Sequence, residues 1–273
     1  MNKLALIAAA FAITAASGAV AADWRALDPQ EALVIDTTKG RIIVELIPEV
    51  APAHVARVKE LARSGFYDGL LFHRVIDDFM AQTGDPQGTG EGGSDKPDLQ
   101  PEFTFKRGQT TPVRIVASPA APGGTDVGVL KSLPVMTQRD DLMAMTADGK
   151  VQAWALYCPG VMGMARNSDP ASANSQFFLM RQIHASLERQ YTALGQVVVG
   201  LDVVRALKPG EPVVDPDKML KVRVMADLPA AERPAVQLLD PAGGAFKALM
   251  KKEDVANSYE HAICGVAMPA KVN

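Results

Sequence analysis

The chain has 273 residues, enough for one large domain or two small ones, and its 48% hydrophobic and 22% charged residues are an ordinary globular balance. The formal net charge of −3 comes from 28 basic and 31 acidic residues, so there is no basic excess for nucleic acid and no acidic solvating block. Four His and two Cys without His-Glu-x-x-His spacing argue against a zinc site, and no serine lies in a Gly-x-Ser-x-Gly context, which argues against a hydrolase.

The N-terminus reads as a targeting segment, residues 1–22. Met1-Asn2-Lys3 is a short basic start, Leu4 to Ala16 is apolar but short for a bilayer, and Ala19-Val20-Ala21 fits a small-x-small cleavage site. The alternative is a retained anchor, which the length disfavours. The segment looks bacterial, so the expected destination is the periplasm, with no membrane attachment after cleavage. Oxidising export favours pairing of Cys158 with Cys264; the alternative is two separately buried thiols.

In chain order, Leu33 to Thr37 and Arg41 to Ile47 form a predicted hairpin around the Lys39-Gly40 turn. Pro52 opens a helix carrying Val55, Val58, Leu61 and Ala62 at helical spacing, and Gly65 ends it. Leu70 to Val75 reads as a buried strand. Residues 82–101 are loop; the Gly88 to Gly93 run matches G-x-G-x-x-G formally, but no helix follows to receive a pyrophosphate. Thr104 to Tyr157 has weak periodicity, with turns at Pro119 to Gly124 and Ala147 to Gly149. Strands follow at Val161 to Ala165, Gln176 to Met180, Thr192 to Val199 and Lys218 to Ala226, with a short helix at Leu201 to Leu207. Many short strands with two helices suggest a closed barrel rather than a βαβ sheet. Beyond a Pro-rich connector at 229–241, Phe246 to Ile263 has helical character, with Val255, Tyr259, Ala262 and Ile263 on one face and Gly265 after it.

Three blocks carry the chemistry: FHRVIDDFMAQTGDPQGTG from Phe72, GVMGMARNSDPASANSQFFLM from Gly160, and SLERQYTALGQVVVGLDVVRAL from Ser186. In order and spacing they resemble the cyclophilins, over roughly 31–228. The resemblance implies a mainly β fold, a closed eight-stranded antiparallel barrel capped by two α-helices. Here it would carry an insertion at about 104–157 and a C-terminal helical tail at 229–273. It also implies peptidyl-prolyl cis-trans isomerase activity without cofactor or metal. The expected partners are proline-containing unfolded or partly folded chains, met by a monomer that binds no nucleic acid. A cyclophilin-like peptide-binding module or holdase with little isomerase activity is the alternative.

The X-Pro bond turns slowly because amide resonance must be lost, with a barrier of about 20 kcal/mol. A catalyst must hold the proline ring and stabilise the twisted amide, whose nitrogen can then accept a hydrogen bond. A permanently charged guanidinium is a suitable donor. By the resemblance, Arg74 is that donor and Gln82 binds the substrate backbone. Phe79, Met80, Phe178 and Leu187 wall the proline pocket, Ala165 leaves room for the preceding residue, and Gln176 is a polar neighbour. Period-2 alternation puts Phe177 in the core when Phe178 faces the pocket, and puts His73 opposite Arg74 as a structural residue. Where familiar eukaryotic members carry a rim tryptophan and a wall histidine, this chain has Ser186 and Tyr191; Arg166 replaces a usual asparagine. Tyr191 retains a large amphipathic ring for substrate. The missing tryptophan, a main cyclosporin contact in the family, implies weak cyclosporin inhibition.

Overall fold

The computed structural model describes residues 22–118 and 124–273. The signal-peptide reading of the N-terminus and most of the Pro119–Gly124 turn fall outside them. Strand β1 is Trp24–Ala26, and the predicted hairpin is β2, Ala32–Thr37, with β3, Gly40–Leu46. Helix α1 spans Pro52–Arg63 with proline in its first turn, and its His54, Val55, Arg57, Val58, Leu61 and Ala62 are buried. Gly65 closes it at φ +74°, where a side chain would be strained. Next come β4, Arg74–Val75, and β5, Met80–Thr83. The insertion supplies β6, Phe105–Arg107; β7, Arg114–Ala117; β8, Thr125–Leu130; β9, Leu133–Gln138; and β10, Val151–Ala155. The chain returns through β11, Val161–Met164; β12, Phe177–Met180; β13, Ala193–Val199; α2, Leu201–Ala206; and β14, Met219–Val224. The tail adds β15, Val236–Leu239; α3, Gly244–Lys252; and β16, Ala270–Val272.

Eight strands form one antiparallel sheet in the order β14-β2-β3-β13-β11-β12-β5-β4. It is curled but open, which corrects the expectation of a closed barrel. Between the two edges of the sheet an isolated bridge, Leu71↔Lys218, crosses, beside backbone bonds from Phe72 N–H to Asp217 O at 2.9 Å, Gly69 N–H to Met219 O at 2.7 Å and Met219 N–H to Leu70 O at 2.9 Å. The edge strand β4 keeps two residues of the predicted Leu70–Val75 strand. The facing segment carries Pro209, Pro212 and Pro216, which have no N–H to extend a ladder. Inside the curl, Leu33, Ile35, Ile42, Val44, Phe72 and Phe177 pack against Val55, Val58 and Leu61 of α1. Each such buried side chain contributes roughly 1.5–3 kcal/mol by transfer from water.

The insertion is a second, five-stranded sheet, ordered β6-β10-β9-β8-β7. A third sheet, β1-β15-β16, ties the N-terminal strand to the tail. The helical-tail expectation holds over α3 alone. The backbone turns left-handed at Asp254, φ +50°, and the rest is 3-10 turns, leaving Tyr259 66% exposed instead of on a buried face. A disulfide joins Cys158, just after the insertion, to Cys264 in the tail. One apolar cluster therefore runs from Val135 and Ala153 of the insertion through Phe246 and Met250 of α3 to Met80 and Phe178 of the main sheet. Among the described residues no helix is long and apolar enough to cross a membrane.

Candidate active site

Strand register builds the site. Arg74 pairs with Gln82 across β4 and β5, Gln82 with Phe178 across β5 and β12, and Phe178 with Gly163 across β12 and β11. Directly opposed residues share a face, so these four form one row on the outer side of the curled sheet. Met80, two residues before Gln82, lies on the same face. Phe177 points into the curl and touches the Tyr67 ring edge-on at 5.4 Å.

Gly163 is the reason the Phe178 ring can lie over the row. A Cβ there would sit 2.5 Å from Phe178 Cζ and 3.1 Å from Tyr157 Cε1. Tyr157 stacks on Phe178 with centroids 6.1 Å apart, and Tyr191 meets Phe178 edge-on at 6.0 Å. Leu187 is buried in the same cluster, and Phe79 and Ala165 are partly buried against it. The result is an apolar cluster centred on Met80 and Phe178, with Leu187 and Tyr191 as its far wall and Phe79 near Arg74. Burial pushes the Tyr157 hydroxyl well above its ordinary range, with the neighbouring Tyr191 and Glu188 adding to it; Tyr157 is neutral packing.

The polar side of the row is a relay. Gln82 Oε1 faces Arg74 Nη1 at 3.5 Å, while Gln82 Nε2 donates to Gln176 Oε1 at 2.9 Å. Gln176 Nε2 in turn donates to the carbonyls of Gly90 and Gly92, both at 2.8 Å. The Gly-rich loop thus anchors the amides. It is held by Asp85, whose carboxylate accepts from the N–H groups of Gln87, Thr89 and Gly90. Burial alone would raise the Asp85 pKa, but these backbone bonds outweigh it and hold it below the ordinary carboxylate value. Gly92 is needed there, since a Cβ would fall 2.1 Å from Asp85 Oδ1. Beyond Gln82 and Gln176 a cavity of about 390 Å³ opens, lined also by Ala165, Arg166 and Asn174.

His73 lies on the opposite face from Arg74 and is buried. Burial lowers its pKa, despite Asp85 nearby, which favours a neutral ring. Arg74 is one-third exposed and lies 5.9 Å from the Phe79 ring centroid. Its Nε donates to Glu211.

The far wall is held from behind by the added elements. His184 N–H donates to Tyr157 O at 3.0 Å, and its ring packs 4.4 Å from Phe79. Glu188 accepts from His261 of the tail at 2.6 Å. Burial lifts the Glu188 carboxyl above its ordinary range, with the His261 contact opposing the rise. Arg166 stacks 4.3 Å from the Tyr191 ring and donates to Gln190 O, so Arg166 props Tyr191. Ser186 is exposed at the rim. Cys158 and Cys264 lie behind the wall, away from the polar row. Among the described residues no cluster of His, Cys, Asp or Glu could hold a metal ion.

Sequence reading missed Tyr157, Gly163, His184, Glu188, Glu211 and His261. Gly163 alone carried a local signal, a glycine inside an apolar strand, which marks close approach of another group.

An apolar cluster beside a guanidinium and a fixed amide, on one face of an antiparallel sheet, offers a surface on which a peptide segment can bind. Residues 32–226 match the family "Cyclophilin type peptidyl-prolyl cis-trans isomerase/CLD", and the chain belongs to it. A "Probable peptidyl-prolyl cis-trans isomerase" of Brucella suis is 34% identical over 241 residues, covering 82% of this chain and 97% of that protein. A "Peptidyl-prolyl cis-trans isomerase-like 1" of Rhizopus delemar is 30% identical, covering 66% of this chain and 82% of that protein. The crystal structure of cyclophilin AquaCyp293 from Hirschia baltica superposes with a TM-score of 0.83 at 33% identity, over 91% of this chain and 93% of that one. The reaction is therefore cis-trans isomerisation of X-Pro peptide bonds.

Proposed function

We infer that the row Arg74–Gln82–Phe178–Gly163 is the catalytic surface and that its clients are exported, unfolded or partly folded chains. The proline ring sits on Phe178 and Met80 between Phe79, Leu187 and Tyr191. Gln82, held by Gln176, binds the substrate backbone. Arg74 donates to the proline nitrogen as the amide twists, an interaction made only in the transition state and therefore one that accelerates rotation. The residue before proline passes Ala165 toward the open cavity. The basic start, apolar stretch and small-x-small site of residues 1–22 support export to the periplasm, and the lack of a basic excess at a net charge of −3 supports polypeptide rather than nucleic acid as the partner.

The single observation that carries the reading is the shared register row, which places donor, amide and aromatic floor on one face. An NMR titration with a short Ala-Pro peptide tests it. Shifts should centre on Arg74, Gln82, Ala165, Phe178, Leu187 and Tyr191, and Phe178→Ala should abolish them; shifts centred elsewhere would sink the assignment. Fusion of the first 30 residues to a reporter active only after export checks the destination.

A further inference from the structure

We propose that Glu211 is a positioning residue for Arg74, holding the guanidinium so that its terminal nitrogens face the proline. This rests on the reading of Arg74 as the donor. Arg74 sits on a two-residue edge strand, one-third exposed, on a long flexible side chain. Its contact with Gln82, at 3.5 Å, is at the limit of a hydrogen bond and cannot orient it alone. Glu211 accepts from Nε, the nitrogen nearest the stem. That contact fixes the plane of the guanidinium yet leaves the Nη donors for Gln82 and substrate. A carboxylate that merely competed with substrate would cover the Nη edge instead.

The backbone keeps Glu211 in place. Gly210 and Val75 exchange both hydrogen bonds, at 2.9 and 2.8 Å, and Val213 N–H donates to His73 O at 3.1 Å. The 210–213 segment is therefore a cross-strand neighbour on both sides of Arg74. Glycine is required at 210, where a Cβ would meet Val213 Cα at 2.7 Å. The Glu211 side chain itself is 56% exposed, so its removal leaves no cavity and perturbs orientation, not folding.

The test is exchange NMR on a saturating X-Pro peptide, separating kcat from KM, for Glu211→Ala, Glu211→Gln, Arg74→Ala and the double Arg74→Ala/Glu211→Ala variant. Glu211→Ala should lose about tenfold in kcat, equivalent to about 1.4 kcal/mol, with KM within about twofold. Glu211→Gln, whose amide oxygen still accepts from Nε, should recover most of it. In the Arg74→Ala background Glu211→Ala should add nothing, since the residue acts through Arg74. Wild-type or faster turnover in Glu211→Ala, with Arg74→Ala inactive, overturns this inference alone. Full activity in Arg74→Ala overturns both it and the assignment of the donor.

Discussion

Removing the Cys158–Cys264 disulfide is the perturbation with the largest calculable effect on the fold. The bridge closes a loop whose ends are 106 residues apart. In the chain-entropy treatment such a loop contributes about 4.7 kcal/mol, by restricting the unfolded chain. For a chain of this size each kcal/mol moves the unfolding midpoint by about 2–4 °C, so the expected drop is roughly 10–20 °C. The tail keeps noncovalent anchors, since Phe246, Met250 and Ile263 are buried against the insertion and main sheet, so the reduced protein still folds. Calorimetry of wild type with and without reductant, beside Cys158→Ala/Cys264→Ala, gives the number. Reductant should lower the wild-type midpoint and leave the variant unchanged. A wild-type shift below about 2 °C would mean that the bridge does not restrict the unfolded chain in this way.

Gly163→Ala places a methyl against the Phe178 ring; overpacking of this kind costs about 1–3 kcal/mol, and the displaced pocket floor should lower kcat/KM at least tenfold, read by peptide isomerisation and thermal melting. Asp85, and Glu102, which accepts from the Ala53 and His54 N–H groups at the start of α1 and contacts the His54 ring, have depressed pKa values, so folding favours their ionised forms despite burial. That stability is complete above the ordinary carboxylate range near pH ~4 and is lost as the pH falls through the lower folded values. Urea midpoints should therefore fall on acidification below about pH 4, less so in Asp85→Asn. Cyclosporin should inhibit weakly, because Ser186 offers no aromatic surface at the rim; nanomolar inhibition would contradict this.

The parts legible in the sequence are marked by turn and cap residues: Lys39-Gly40 separates β2 from β3, and Pro52 and Gly65 bracket α1, whose apolar residues recur at helical spacing. Period-2 geometry separates Phe177 from Phe178. The insertion hides the β8–β9 hairpin because β8 is buried at nearly every position and the Lys131-Ser132 turn has no glycine, proline or asparagine to mark it. Pro134 inside β9 and left-handed Lys131 in the turn before it further mask the β8–β9 hairpin. The tail's left-handed Asp254 carries only the weak signal of a residue type that tolerates this conformation. Openness of the sheet depends on an edge strand of two residues facing a proline-rich loop, a tertiary outcome. Glu211 was illegible because it reaches Arg74 from 137 positions away, and the Glu188–His261 pair spans 73. Such contacts follow from topology, which one sequence specifies only through the whole fold.

On the proposed mechanism Arg74 accelerates rotation by donating to the twisted amide while the apolar floor does the binding. The isomerisation rate of a short X-Pro peptide, measured for wild type and Arg74→Ala beside their peptide affinities, tests it directly. Loss of one such donor should lower kcat by about 10²–10³ with affinity nearly intact. Equal rates in the two proteins, or a loss that appears wholly in affinity, would contradict it.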